Sequence, residues 1–598
     1  MTEEQELRMG AVPGEGAVTF RVWAPNAEKV SVVGSFNEWD PEAHPMERDE
    51  RGVWHAEVAE AKVGDEYRYL LVKGDQTLSR IDPYARQVTS SVGNGVVHDP
   101  AFDWGDDAFE MPPWHELVIY ELHPGTFGAA EGEVPATFED AIGRLDHLRR
   151  LGVNAVQIMP AAEFAGDVSW GYNPAHIFAV ESAYGGPAAL KEFVKQAHAQ
   201  GFAVILDVVY NHLGPSDLSL WKFDGWGEGD CGGIYFYNDA RAQTLWGDTR
   251  PDYGRPEVRR FLRDNALMWL EDYHIDGLRW DGTLYIRTVH GRRDAPADEL
   301  PDGWGLMREI NAEIRRRFPR RLCIAEDLQD NEWLTRDVAA GGAGFGAQWD
   351  ARFVHPVRAA VIGAEDAGRR METIREALAH AYNGEPFQRV IYSESHDEVA
   401  SGKARVPYEI SPDEPDSWFA QKRSTLAAAL VFTAPGIPML FQGQEFLQGE
   451  WFRDDAPLDW DQSEEFRGIV LLYRDLIHWR LNCAGATRGL CGHHLAVHHV
   501  NESEKVIAFH RWEEGGPGDD VVVVANFANQ AYDAYEIGVP RDGEWKVRLN
   551  SDWTGYSPDF GGLPSSDTTA IPGERDGLAC HATVGLPPYS VILLSQDP

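Results

Sequence analysis

From residue 117 to residue 441 the chain alternates between two apolar patterns, and that alternation limits the possible folds more than any other feature. Short apolar runs fall at 117–122 (LVIYEL), 153–159 (VNAVQIM), 202–208 (FAVILDV), 275–280, 321–325, 345–350, 389–394 (RVIYSE) and 437–441 (IPMLF). Helical periodicity lies between most of them, clearest in FLRDNALMWLEDYH, 261–274. Apolar strands joined by helices are what a parallel sheet covered on both faces requires. Eight such strands over roughly 330 residues predict a (β/α)8 TIM barrel. The longest insertion follows the third strand: 213–250 is rich in Gly, Trp and Tyr and has no helical period.

On either side the grammar changes. Residues 1–100 hold short alternating strands (AVTFRVWAP, KVSVVGSF, GVWHAEV, EYRYLLV) separated by Gly, Asn, Asp and Pro, which predicts a β-sandwich. Its aromatics Trp23, Trp39 and Trp54 suit the sandwich core and also suit stacking on sugar rings; for each alone, core is the better reading. A Pro- and acid-rich stretch, 102–114, marks a boundary. Beyond 485 strands return, as LAVHHV, KVIAFHRW, VVVVANF, WKVRLN and SVILLS, and predict a second β-sandwich. The expected domains are therefore 1–105, 106–485 and 486–598, in keeping with a 598-residue chain too long for one core.

Composition excludes several partners. With 54 Lys+Arg against 96 Asp+Glu, a formal charge of −42, the surface would repel nucleic acid and anionic membranes, whereas a neutral substrate is compatible with it. The start, MTEEQELRMG, lacks the apolar core of a secretory signal, and no apolar run is long enough to span a membrane. Five scattered cysteines show no zinc-like spacing. These features lead us to expect a reduced, cytoplasmic protein; its oligomeric state is not legible.

The chemistry centres on LEDYHIDGLRWDG, 270–282. After the amphipathic helix comes a short buried strand, in which Gly277 admits a close neighbouring backbone, and Asp281 follows at its end. A carboxylate just past a barrel strand lies on the face where such barrels build active sites. Arg279, two residues earlier, shares its face by the period-2 rule and would orient it. A structural Arg–Asp pair would look the same in isolation. The other strand ends, however, add Asp207, Asn211 and His212 after the third strand, Glu326 after the fifth, and Glu394, His396 and Asp397 after the seventh. So many acids at one mouth carry a Coulomb cost that function explains better than structure does. Glycoside hydrolysis or transfer with retention needs such a group: one ionised carboxylate as nucleophile and one protonated carboxyl as acid/base. That chemistry requires no metal and no cofactor.

In order and spacing, DVVYNH (207–212), GLRWD (277–281), IAED (324–327) and SESHDE (393–398) resemble the characteristic regions of the α-amylase superfamily. The resemblance implies Asp281 as nucleophile, Glu326 as acid/base and Asp397 as transition-state stabiliser. It also implies that Asp207, His212, Arg279 and His396 bind sugar, and that Tyr172 of WGYNP (170–174) stacks beneath the reacting ring. WAPNA…VVGSFNEWD (23–40) is similar to the carbohydrate-binding module that precedes the barrel in branching and debranching enzymes, which raises Trp39 as a sugar contact.

YELH (120–123), TLWGD (244–248), GGAGF (341–345), YSESHDE and GQEF (443–446) resemble 1,4-α-glucan branching enzymes in particular. Asn211 departs from that pattern, where a serine is usual; an asparagine is more typical of amylases and trehalohydrolases, in which it can help bind calcium. The stretch 398–420 departs too. The resemblance thus implies an α-glucan substrate (glycogen, amylose, malto-oligosaccharides) and a branching transferase first. A malto-oligosaccharide hydrolase or trehalohydrolase-like enzyme comes second, and a non-catalytic glucan-binding protein is remote, since all three acids are present. Among the insertion's aromatics, Trp221, Trp226, Tyr235, Tyr237 and Trp246 could grip an acceptor chain or merely pack the loop.

Overall fold

A computed structural model describes residues 8–292 and 295–598. The first strands form two four-stranded antiparallel groups. One joins Gly10–Pro13, Val18–Trp23, Val53–Val58 and Glu47–Arg48; the other joins Lys29–Gly34, Glu66–Lys73, Gln76–Arg80 and Gly95–Val96. Trp23 and Trp54 are buried between strands, with the Trp54 indole N–H donating to the Ala24 carbonyl, so both belong to the core. Trp39 does not: it is 39% exposed and has a left-handed backbone, φ 62°.

The eight expected central strands all form, seven of them shortened and the last with its expected bounds: β1 Ile119–Leu122, β2 Ala155–Ile158, β3 Ala203–Val208, β4 Gly277–Trp280, β5 Leu322–Ala325, β6 Ala347–Trp349, β7 Arg389–Ile391 and β8 Ile437–Phe441. They close into a barrel in sequence order. Nearly every residue in them is buried, which is why they read as continuous apolar runs. The helix expected at 261–274 runs over Pro256–Glu271, started by a proline in its first turn, where the missing N–H is harmless. Gly277 behaves as its position suggested: a Cβ there would lie 2.5 Å from the Leu322 carbonyl oxygen of the next strand.

The residues divide into two compact units. One holds the described residues through Phe109, His123–Gly143 and Ile158–Asp327; the other holds Glu110–Leu122, Arg144–Gln157 and Leu328–Pro598. Within the first, the N-terminal strands dock on the long insertion. Asn26 donates from its backbone and side chain to Asp224, Arg80 donates to the Phe223 carbonyl, and Trp23 meets Tyr235 edge-on at 5.5 Å. Among the described residues the insertion holds no α-helix, only a 3-10 turn at Ala240–Ala242.

Within the second unit, eight antiparallel strands from His494 onward follow one hydrogen-bonded path that folds over its own core. Val506, Val522, Val524 and Ile592 face Ile537, Val539, Ala582 and Val584 there. Among the described residues no helix is long and apolar enough to cross a membrane.

Candidate active site

Register builds the site in the first unit. Asp207 on β3 pairs with Arg279 on β4, so their side chains enter the barrel side by side. The ladder continues one residue past each strand end: the Asp281 N–H donates to the Val208 carbonyl and the Glu326 N–H to the Trp280 carbonyl. The two expected catalytic carboxyls therefore leave neighbouring strands at the same level.

Arg279 is the hub. It is fully buried, with Nη1 2.7 Å from Asp207 Oδ2 and 3.0 Å from Asp281 Oδ1, and Nη2 3.7 Å from Glu326 Oε2. The Tyr172 hydroxyl donates to Asp207 Oδ2 at 2.6 Å, and its ring lies 5.7 Å from the guanidinium carbon. Two charges a few ångströms apart interact by about 4 kcal/mol at an effective dielectric of about 20. One guanidinium cannot offset three carboxylates on that scale. Burial accordingly pushes Asp207 up to about 7, against the pull of Arg279 and with the push of Asp281. The neighbouring carboxylates hold the Arg279 guanidinium far above its ordinary range despite its burial.

Asn211, which the resemblance to amylases linked to calcium, contacts the expected nucleophile. Its Nδ2 donates to Asp281 Oδ2 at 3.0 Å, which turns its Oδ1 to accept from His212 Nδ1, also at 3.0 Å. Asp281 is thus held on one oxygen by Arg279 and on the other by Asn211. Gly282 makes this possible: its φ is +50°, and a Cβ there would meet Asn211 Nδ2 at 2.2 Å. The Gly282 N–H donates to Glu326 Oε2 at 2.6 Å, so the residue after the expected nucleophile fixes the expected acid. Burial lowers the His212 imidazole below its usual value, favouring the neutral ring.

The second unit carries the remaining pair. Glu121 at the end of β1 is fully buried and accepts from the His396 backbone N–H at 3.1 Å and from His396 Nδ1 at 2.8 Å. That turns His396 Nε2 towards Asp397, 3.6 Å away, whose side chain is half exposed. Glu394 faces elsewhere, pairing with buried Arg405 at 3.1 Å and accepting from the Val406 N–H, so it is structural. Sequence reasoning singled out neither Glu121 nor the bridging of Asn211. The available signal for Glu121 was a lone acid inside an apolar strand.

Of the five insertion aromatics singled out from sequence, Tyr235 and Tyr237 are buried and pack the loop, and Trp221 and Trp226 are half-buried. Trp246 alone among the five is exposed, at 42%, and it stacks on His212 with centroids 4.5 Å apart and planes 12° from parallel.

A parallel eight-stranded barrel with strand-end carboxyls gathered on a buried arginine fits the glycoside-active barrels, and comparison with known proteins shows the family. Residues 8–85 match the carbohydrate-binding module 48 (isoamylase N-terminal domain), 121–223 the α-amylase catalytic domain, and 497–597 the α-amylase C-terminal all-β domain. The 1,4-alpha-glucan branching enzyme GlgB of Photobacterium profundum is 31% identical over 98% of this chain and 83% of its own. That of Salinibacter ruber is 30% identical over 98% and 96%. A solved structure of a putative alpha amylase from Salmonella typhimurium superposes with a TM-score of 0.74 at 23% identity, covering 98% of this chain and 99% of that one. The chain belongs to the α-amylase superfamily and, within it, to the family of the GlgB 1,4-α-glucan branching enzymes.

Proposed function

We propose that the chain is a 1,4-α-glucan branching enzyme, cutting α-1,4 bonds and passing the glycosyl unit to a 6-hydroxyl with retention. The observation that carries the mechanism is the shared arginine: Asp281 and Glu326, on adjacent strand ends, flank one buried guanidinium. In the first step an Asp281 oxygen bonds to the sugar C1 while the C1–O4 bond breaks, and Glu326 gives its proton to the departing oxygen. In the second, the acceptor 6-hydroxyl oxygen bonds to C1, its proton passes to Glu326, and the bond to Asp281 breaks.

The remaining roles are those the family resemblance implies. Asp397, beside His396, would stabilise the oxocarbenium-like ring. Tyr172 would stack beneath it, with Asp207, His212, Arg279 and His396 meeting its hydroxyls, and Trp39 would touch glucan on the N-terminal domain. Because Glu326 matters most for poor leaving groups, Glu326→Gln should lose activity on glucan by orders of magnitude yet recover much of the first step with a glycosyl fluoride, which needs little protonation. Equal loss on both donors would remove Glu326 from the role.

A further inference from the structure

We propose that the exposed face of Trp246 is the platform on which the acceptor glucan lies during transfer, a reading that rests on the branching function above. The insertion offers seven aromatics, and in six of them folding buries the ring wholly or partly as packing. Trp246 is different in three respects.

Its presentation is rigid. The Thr244 N–H and hydroxyl both donate to the Gly247 carbonyl, at 2.8 and 2.9 Å, and the Trp246 N–H donates to the Thr244 hydroxyl oxygen at 3.1 Å. A tight turn thereby holds Leu245 and Trp246 outward, at 75% and 42% exposure. The solvent-facing surfaces of these two large apolar side chains gain nothing for the fold, and a preorganised apolar surface is what a binding platform needs.

Its covered face is already spoken for. His212 stacks on one side of the indole, and the Tyr285 ring meets it edge-on at 5.1 Å, leaving one flat face for a ligand. The apolar face of a pyranose fits such a surface and carries no charge, which suits a protein of formal charge −42.

Its position is on the acceptor side. Tyr285 sits in the short helix Thr283–Arg287 that follows Asp281. The start of that helix is tied to Glu326: the Gly282 N–H donates to Glu326 Oε2 at 2.6 Å, and the Thr283 N–H and hydroxyl donate to the Glu326 carbonyl at 2.8 and 2.9 Å. Glu326 handles first the oxygen that departs and then the hydroxyl that arrives, so what lies beyond it towards Tyr285 meets the leaving chain and the acceptor. Transfer outruns hydrolysis only if the acceptor is held, because water stands at roughly 55 M and an oriented hydroxyl gains a large effective molarity.

The test is the partition between branching and hydrolysis on amylose, with cleavage of a maltosyl fluoride measured alongside. Trp246→Ala should lower the ratio of new branches to new reducing ends about three- to tenfold, the scale of one aromatic contact. Fluoride cleavage should stay within about twofold, and Trp246→Tyr should restore the ratio. Should Trp246→Ala not fold, Trp246→Leu fills the space without a flat face and carries the same prediction. If ratio and fluoride cleavage fall together, Trp246 merely braces His212 and the platform is refuted; an unchanged ratio in a variant whose parent branches refutes it as well. A parent that makes no branches overturns the branching reading instead.

Discussion

At the residue scale the site is a question of how one arginine serves three acids. Asp281 is gripped on both oxygens, by Arg279 and Asn211, so it is held in one orientation before substrate arrives. Asp281→Asn keeps the shape and most of these contacts but removes the nucleophile, and activity should fall by several orders of magnitude with the melting temperature little changed. Near-normal turnover in that variant, measured on glucan free of parent enzyme, would contradict the assignment. The pairing of Arg279 with Asp281 was legible because two residues on one strand face must meet. The bridging of Asn211 was not, since it depends on a left-handed Gly282 that lets the backbone approach. Nor was the pairing of Glu121 with His396, which joins residues 275 apart in sequence.

At the element scale, the barrel strands could be read because burial on both faces leaves an unmistakable apolar run. The loops could not, because their side chains settle by tertiary contact. Tyr235 and Tyr237 look as available as Trp246 in sequence, yet folding buries them. The hairpin Ala162–Phe164 with Pro174–Val180 carries Tyr172 in its loop, and at its base lie two buried acids. Burial and repulsion from Glu181 push Glu163 up to about 8, and burial pushes Glu181 up to about 7. Both values exceed the roughly 4.3 of an unfolded glutamate, so the folded state binds more protons between those limits. Stability from this pair is present in full at low pH and lost as pH rises through about 7 to 8. The melting temperature should therefore decline between pH 5 and pH 9, and decline less in Glu163→Gln; parallel curves for parent and variant would contradict this. On the N-terminal sheets, Trp39→Ala should raise KM for long glucans about three- to tenfold while leaving short oligosaccharides unchanged, since one exposed indole is worth about one aromatic contact. Equal effects on both would return Trp39 to a structural role.

At the scale of the whole molecule, a formal charge of −42 makes self-repulsion a destabilising term that salt screens. Moving from about 0.1 M to about 1 M sodium chloride shortens the Debye length from about 10 to about 3 Å. The melting temperature should rise by several degrees over that range; a fall would mean that attractive ion pairs dominate instead. The three-part order of two β-regions around a barrel was legible from changes in periodicity alone. The choice between water and a glucan hydroxyl as acceptor was not, because it turns on how loops hold the second chain. The most direct test is amylose incubated with the enzyme and followed by iodine absorbance and reducing ends in parallel. Branching predicts that iodine absorbance falls while reducing ends stay nearly constant, and that a debranching enzyme then releases short linear chains. A rise in reducing ends that keeps step with the iodine loss, with no debranchable product, would contradict the account.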